Sequence, residues 1–269
     1  MRQQTIKRQV SLSGIGLHSG EPSTLTFKPA GENTGIVFIK AGEKIEASLE
    51  NVSLTLRGTS LKGIQTVEHV LAASYGLGVD NLEIELEGAE PPAEDGSSLS
   101  YVNLLKEAKI IEQRAVRRFM EIENPIYIKD KDRAIVALPS ETLELSFVLD
   151  YPESFVGMQR ASFVEGKDDF EKELAPARTF GFLKEVEELW AKGLALGGTL
   201  DNAIVIKEHE YSCPLRFKNE LARHKILDLM GDLALLGKRV KGKIMALKSG
   251  HELNLRLARA IAGGGLNFS

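Results

Sequence analysis

The stretch His224-Lys225-Ile226-Leu227-Asp228-Leu229-Met230-Gly231-Asp232 decides how the rest of the chain is read. Residues four apart on an α-helix differ by about 40° of rotation, so a helix here stacks His224, Asp228 and Asp232 along one stripe. The flanking Leu221, Ile226, Leu227, Leu229, Met230, Leu233, Leu235 and Leu236 leave that helix little face suited to water. A buried imidazole with two carboxylates needs compensating partners. His224 and Asp228, one turn apart, can hold a divalent ion while Asp232 orients a neighbouring group. A core cluster satisfied by hydrogen bonds is the competing reading, and these residues alone leave both open.

Outward from this helix, the chain shows strands followed by helices, twice. In the first half, alternation predicts strands through Ile6, Val10 and Leu12, through Leu25 and Phe27, over residues 34–40 and 44–49, and over Leu82, Ile84 and Leu86 with Glu83, Glu85 and Glu87 between them. Helices are predicted over 66–75, with Thr66 as N-cap, and over about 100–108. A basic, irregular passage over 113–118 marks the boundary between domains 1–115 and 116–269. In the second half, strands are predicted over 122–129, 134–138, 143–149, 203–206 and 242–247. Helices are predicted over 168–174, after Phe182 with Leu183, Val186, Leu189 and Trp190 on one side and Gly193 at its end, over the quoted stretch, and at the end with Leu253, Leu257, Ala260 and Ile261. This order favours α+β layers over alternating βαβ winding, and no repeat is visible in the sequence itself.

Composition excludes several classes. With 269 residues, 43% hydrophobic and 27% charged, the chain can build a sizeable core and is not disordered. A net charge of -4 gives no general attraction to nucleic acid, and 6% aromatic residues are sparse for stacking on bases. The 1 cysteine, Cys213, excludes an internal disulfide and a Cys-x-x-Cys metal knuckle and suits a reducing compartment. Arg2, Lys7 and Arg8 precede no apolar signal segment, and no apolar run approaches a membrane span, so the expectation is a cytoplasmic protein without stable membrane insertion.

The 5 histidines divide by context. His69 follows Glu68 near the start of a predicted helix, about 100° round its axis, so the two can meet one site at its rim; a surface pair is the plainer reading. A catalytic zinc takes three protein ligands and a water, with a carboxylate to accept the water's proton, and His69, His224 and Asp228 with Glu68 as base would make such a set. His251 sits in Lys248-Ser249-Gly250-His251, between a strand and a helix. Alone it would be solvated, but Asp232 is available to raise its pKa and fix its ring. His18 lies in the turn from Gly14 to Gly20, where amides and imidazole can meet an anion or the glycines can simply make a tight hairpin. His209, in Lys207-Glu208-His209-Glu210, faces water. Neither His209-Glu210 nor His251-Glu252 continues into His-Glu-x-x-His.

Taken together, Thr66-Val67-Glu68-His69, Ala177-Arg178-Thr179-Phe180-Gly181, Arg223-His224-Lys225 through Asp228 to Gly231-Asp232, and Lys248-Ser249-Gly250-His251 resemble the signature stretches of the UDP-3-O-acyl-N-acetylglucosamine deacetylases, zinc enzymes of lipid A synthesis in Gram-negative bacteria. The resemblance extends to Gly14–Gly20 and Gly193–Gly198 and so spans nearly the whole chain. It implies two similar α+β domains with the helices sandwiched between two sheets. It further implies one Zn2+ per chain on His69, His224 and Asp228, Glu68 as general base, His251 oriented by Asp232 as proton donor or charged partner, Thr179 as oxyanion donor, and Lys225 beside the reacting groups and phosphates. Phe180 is implied to pack on substrate, Lys248 and His18 to join a diphosphate patch with Arg133, Tyr151 to pack on uracil, and Leu183, Val186 and Gly198 to wall an acyl passage. The loop Pro91-Pro92-Ala93-Glu94-Asp95-Gly96 departs from a more apolar family pattern. The expected substrate is UDP-3-O-acyl-N-acetylglucosamine, and the expected state is a monomer. Two other readings are a metal-dependent amidohydrolase for a small soluble substrate and a sugar-nucleotide or lipid-binding protein with a structural metal. The latter would show four protein ligands rather than three.

Overall fold

The computed structural model describes residues 1–55, 58–191 and 195–263, and of 187–190 the backbone only. Gly193 and the side chains of Leu189 and Trp190 therefore lie outside the described residues. The chain opens with β1 (Arg2–Ile6), β2 (Val10–Ile15), β3 (Pro22–Pro29), β4 (Ile36–Lys40), β5 (Glu43–Glu46), β6 (Val52–Leu54) and β7 (Ser60–Leu61). Helix α1 (Glu68–Gly76), strand β8 (Leu82–Glu87) and helix α2 (Leu99–Glu107) follow, and β9 (Ile110–Val116) returns to pair antiparallel with β1. Next come β10 (Phe119–Glu121), β11 (Ile126–Asp130), β12 (Arg133–Leu138), β13 (Leu143–Tyr151), β14 (Gly157–Val164), α3 (Phe170–Glu173), β15 (Phe180–Phe182), α4 (Leu183–Ala191) and β16 (Ile204–Ile206). The chain closes with α5 (Glu220–Ala234), β17 (Arg239–Leu247) and α6 (His251–Ala262).

Two sheets carry the α+β fold, and their topologies match strand for strand. One runs β2-β3-β8-β4-β5 and the other β11-β12-β17-β13-β14, with β10 added beside β17. In each, the central strand comes late in the half, pairs antiparallel on one side (β8 with β3, β17 with β12) and parallel on the other (β8 with β4, β17 with β13). Each central strand is preceded by one helix and followed by another: α1 and α2 for β8, α5 and α6 for β17. A repeat that leaves no trace in the amino acids is thus plain in the topology, because a sheet face needs apolar alternation and not particular residues. Leu82, Ile84 and Leu86 of β8, and Leu143, Leu145, Phe147 and Leu149 of β13, face inward with polar or half-buried residues between them.

The helices lie between these inner faces. α1 packs along α5, α5 packs on β13 and β14, α6 on β11 and β12, and α2 on β2. A helix between two layers has no wet side, and Glu68 through Tyr75 are all buried. The α1–α5 contact is close at Gly231, where a Cβ would stand 2.2 Å from the Glu68 carbonyl oxygen. No side chain can be accommodated there without parting the helices.

Three sequence expectations are corrected. Thr66 does not cap α1: its φ is 54°, in the left-handed region, and its hydroxyl donates to Glu90 Oε2 at 3.0 Å. The passage 113–118 is not irregular throughout, because β9 runs to Val116. Its weak alternation reflects a two-stranded ribbon with most side chains at least partly exposed. The helix expected over 168–174 shrinks to α3, whose Asp169 carboxylate accepts from the amides of Glu171 and Lys172.

The close approach at Gly231 generates a test. Gly231→Ala should destabilise the protein by about 1–3 kcal/mol, the usual range for overpacking a tight core. Thermal unfolding of the metal-free variant measures it, and an unchanged midpoint would mean that the helices can part without cost.

Candidate metal centre

Helix α5 presents the predicted stripe. His224, Asp228 and Asp232 are 2%, 3% and 0% exposed, so the stripe faces the protein interior. α1 brings its first two residues, Glu68 and His69, to the same place, because Gly231 lets its backbone approach. Asp228 Oδ1 lies 3.3 Å from His224 Nε2 and 3.5 Å from His69 Nε2. Donor atoms of the three residues all lie within 4.8 Å of one another. Tetrahedral zinc with bonds of about 2.0–2.2 Å sets its donors roughly 3.3–3.6 Å apart, so these separations suit one divalent ion.

Protonation and hydrogen bonding favour the same use. Burial, only partly offset by Asp228, drives the His224 pKa down to about 3, so the ring is neutral near pH 7. Its Nδ1 donates to the Ala177 carbonyl at 3.1 Å, which leaves the Nε2 lone pair toward Asp228. Asp228 is held ionised: burial opposes this, but the Lys225 ammonium hydrogen-bonded to it and the protonated His251 outweigh it and set its pKa well below the carboxylate range. Lys225 Nζ donates to Asp228 Oδ2 at 2.8 Å, whereas Oδ1 is buried and among the described residues has no hydrogen-bond partner. A buried, ionised oxygen between two imidazole nitrogens is costly unless a cation joins them, so the donor set fits a metal.

Beside the donors stands an acid–base pair. His251, the first residue of α6, has Nδ1 at 2.9 Å from Asp232 Oδ2 and Nε2 at 3.7 Å from Glu68 Oε1. Burial would lower its pKa, but the Asp232 carboxylate and its hydrogen bond raise it to about 10. Glu68, Asp228 and His251 also cluster, yet a protonated imidazole has no lone pair for a metal, so that set reads as an ion-paired group. Glu68 is shifted the other way from Asp228, upward, because burial outweighs its neighbouring histidines.

Several residues that hold this arrangement were not singled out from the sequence. Thr59 donates its amide to Glu68 Oε2 at 2.9 Å and its hydroxyl to Asp232 Oδ1 at 2.5 Å, so it fixes the two carboxylates together. Asn254 Nδ2 donates to Asp232 Oδ2 at 2.8 Å. Glu220, fully buried, binds Arg178 Nε at 2.8 Å and anchors the segment carrying Ala177 to the start of α5. Asn254 had a faint signal, as a polar residue beside the apolar register of Leu253 and Leu257. Thr59 had none, since its partners are 9 and 173 residues away.

The remaining expected site residues are distributed around the centre. Phe180 lies 6.1 Å from the His224 ring, with Lys225 Nζ 5.4 Å from its own ring centre. Thr179 is held by its amide on the Gly96 carbonyl, 2.8 Å away, two residues beyond Ala177. Tyr151 packs edge-on against Phe182 at 4.9 Å. Lys248 reaches Asp132 at 3.1 Å and Asp150 at 3.5 Å, and Arg133 pairs with Asp130 and, at 3.5 Å, with Glu252. Leu183 is exposed, Val186 is half-buried, and Gly198 donates its amide to Ala195. One expectation about His18 is corrected. The amides of His18 and Ser19 do not await an anion, because the buried Glu90 carboxylate already takes both, at 2.8 and 2.7 Å. His209 is exposed, as expected.

The His251 environment yields a prediction for the metal-free protein. Its ring should titrate far above the ordinary 6.5, near about 10, and Asp232→Asn should move that titration downward by removing the carboxylate that raises it. Because the folded-state pKa is raised, this contact stabilises the fold fully below the unfolded value and ceases to do so as pH rises through the folded one. Histidine NMR titration follows the ring directly; a His251 that titrates at its ordinary value in both proteins would refute the pairing.

The sequence profile described as UDP-3-O-acyl N-acetylglycosamine deacetylase matches residues 3–263. A relative named UDP-3-O-acyl-N-acetylglucosamine deacetylase from an Anaeromyxobacter species is 43% identical over 267 residues, covering 96% of this chain and 88% of its own. One of the same name from a Nitratiruptor species is 43% identical over 262 residues, covering 94% and 88%. Another, from Campylobacter hominis, is 40% identical over 276 residues, covering 100% and 94%. With a match over almost its full length, the chain belongs to the UDP-3-O-acyl-N-acetylglucosamine deacetylase family.

Proposed function

We propose that this protein is a zinc-dependent amidohydrolase that removes the N-acetyl group of UDP-3-O-acyl-N-acetylglucosamine, releasing acetate, as the committed step of lipid A biosynthesis in the cytoplasm of a Gram-negative bacterium. The observation that carries the reading is the buried, unpartnered Asp228 Oδ1 between the His69 and His224 nitrogens, in a chain matched by the family from residue 3 to 263. The proposal keeps two domains, 1–115 and 116–269, with the ligands drawn from both, one Zn2+ per chain, and a monomer without membrane insertion. Among the described residues no helix is long and apolar enough to cross a membrane.

Bound to His69, His224 and Asp228, zinc supplies Lewis acidity toward the acetamide carbonyl and lowers the pKa of water. Glu68 takes a proton from the attacking water, a role its upward-shifted pKa suits, since a stronger base accepts the proton more readily. Thr179 donates a hydrogen bond to the oxyanion as it develops, and His251, kept protonated by Asp232, delivers a proton to the departing amine nitrogen. Lys225 stabilises the ionised Asp228 and adds positive charge beside the phosphates. Phe180 packs on the substrate and Tyr151 on its uracil. Lys248, Arg133 and His18 belong to the diphosphate patch in this reading, with His18 contributing its ring because its amide is taken. Leu183, Val186 and Gly198 border the acyl chain.

Two measurements separate this reading from its rivals. His69→Ala, His224→Ala and Asp228→Ala should each lower bound metal together with acetate release. Glu68→Gln and His251→Ala should retain metal and lose about 10²- to 10⁴-fold in kcat, the usual contribution of a positioned acid or base. Metal analysis of the purified variants beside acetate assays gives both readings, and full metal occupancy in all three ligand variants would overturn the centre. Shortening the 3-O-acyl chain should reduce kcat/KM by up to about 0.8 kcal/mol per buried methylene, and equal rates with short and long chains would favour a small-substrate amidohydrolase.

A further inference from the structure

A cleft of about 330 Å³ opens at the far end of α1 from Glu68, between the last turns of α1 and the connection from α5 to β17. The proposed mechanism makes no use of it. Its volume falls at the lower end of the range for small-molecule sites, and its walls mix polar Asn33, Thr34 and Ser48 with apolar Leu71.

Its charge is unusual for a chain of net charge -4. Arg239, 7% exposed, lines the cleft with its guanidinium 4.2 Å from the centre of the Tyr75 ring. Nη1 donates to the Tyr75 carbonyl at 2.7 Å and Nη2 pairs with Glu165, while Nε is buried and among the described residues has no partner. Arg118 and Lys238 line the same cleft, are exposed, and among the described residues have no hydrogen-bond or ion-pair partner. Of the two carboxylates on the lining, Asp80 is taken up by Arg117 at 2.7 Å, which leaves Glu46 on the exposed edge. Two cations without a partner among the described residues, Arg118 and Lys238, therefore border the space against one uncompensated carboxylate, with Arg239, itself paired with Glu165, in its wall.

We propose that this cleft is a second ligand site, for a small organic anion bearing phosphate or carboxylate groups, with Arg239 in its wall and Arg118 and Lys238 at its rim. Phosphates and carboxylates share the oxyanion chemistry that arginine recognises, and the polar walls suit the hydroxyl-bearing body of such a molecule. The cleft is separate from the metal centre: α1 reaches it through Leu71, Ser74 and Tyr75, whereas Glu68 and His69 serve the centre.

The test is calorimetric titration of the metal-loaded protein with inorganic pyrophosphate and, separately, with citrate, repeated on a variant carrying Arg118→Ala and Lys238→Ala. Both substituted side chains are exposed and, among the described residues, unpaired, so the fold and the metal centre should be untouched. The wild type should bind one or both probes, and the variant should bind the same probe at least tenfold more weakly. The probe that responds identifies whether phosphate or carboxylate chemistry is preferred. Binding of equal strength in wild type and variant would assign the heat to another site and overturn the proposal, as would absence of binding by either probe.

Discussion

The contact on which the rest of the structure depends is the close approach of α1 to α5 where Gly231 meets the backbone of Glu68. Each helix belongs to one of two matching halves, and neither carries a complete set of donors. α5 offers an imidazole and a carboxylate, while α1 offers a second imidazole and a further carboxylate. Only when the two halves close face to face do the four groups meet, and the contact that joins them is too tight for any side chain. The layered fold serves this meeting by covering both helices with sheets and keeping them dry.

Within that dry space, neighbouring groups drive two histidines in opposite directions. His224 loses its proton because burial dominates and its Nδ1–H goes to a carbonyl, whereas His251 keeps its proton because Asp232 lies 2.9 Å away with Thr59 and Asn254 holding it. In the proposed chemistry one serves as a donor of electron pairs and the other as a donor of protons. Asp228 is divided similarly: Lys225 takes one oxygen and the other remains for a cation. The amidohydrolase chemistry proposed for the chain needs this separation, since a metal ligand must be deprotonated and a general acid must not be.

Much of this was legible in the sequence because periodicity reports burial directly. The stripe of His224, Asp228 and Asp232, the alternation of Leu82, Ile84 and Leu86, and the placement of Glu68 and His69 at a helix start each rest on local spacing. What escaped depends on contacts between distant residues. Thr66 looks like a cap, but Glu90 claims its hydroxyl, and the same carboxylate occupies the His18 and Ser19 amides that seemed free for a ligand. β9 hid because a thin ribbon alternates weakly, and the matching topology of the two sheets hid because different side chains satisfy the same pattern. Thr59 could not be foreseen, since nothing near it indicates that it bridges Glu68 and Asp232.

The central claim is that His69, His224 and Asp228 form one metal centre across the α1–α5 contact. Zinc-edge X-ray absorption on the purified protein examines the ion's own surroundings. The account predicts two imidazole ligands, with oxygen completing a shell at about 2.0–2.2 Å. A shell without imidazole scattering, or one containing sulfur from Cys213, would contradict it.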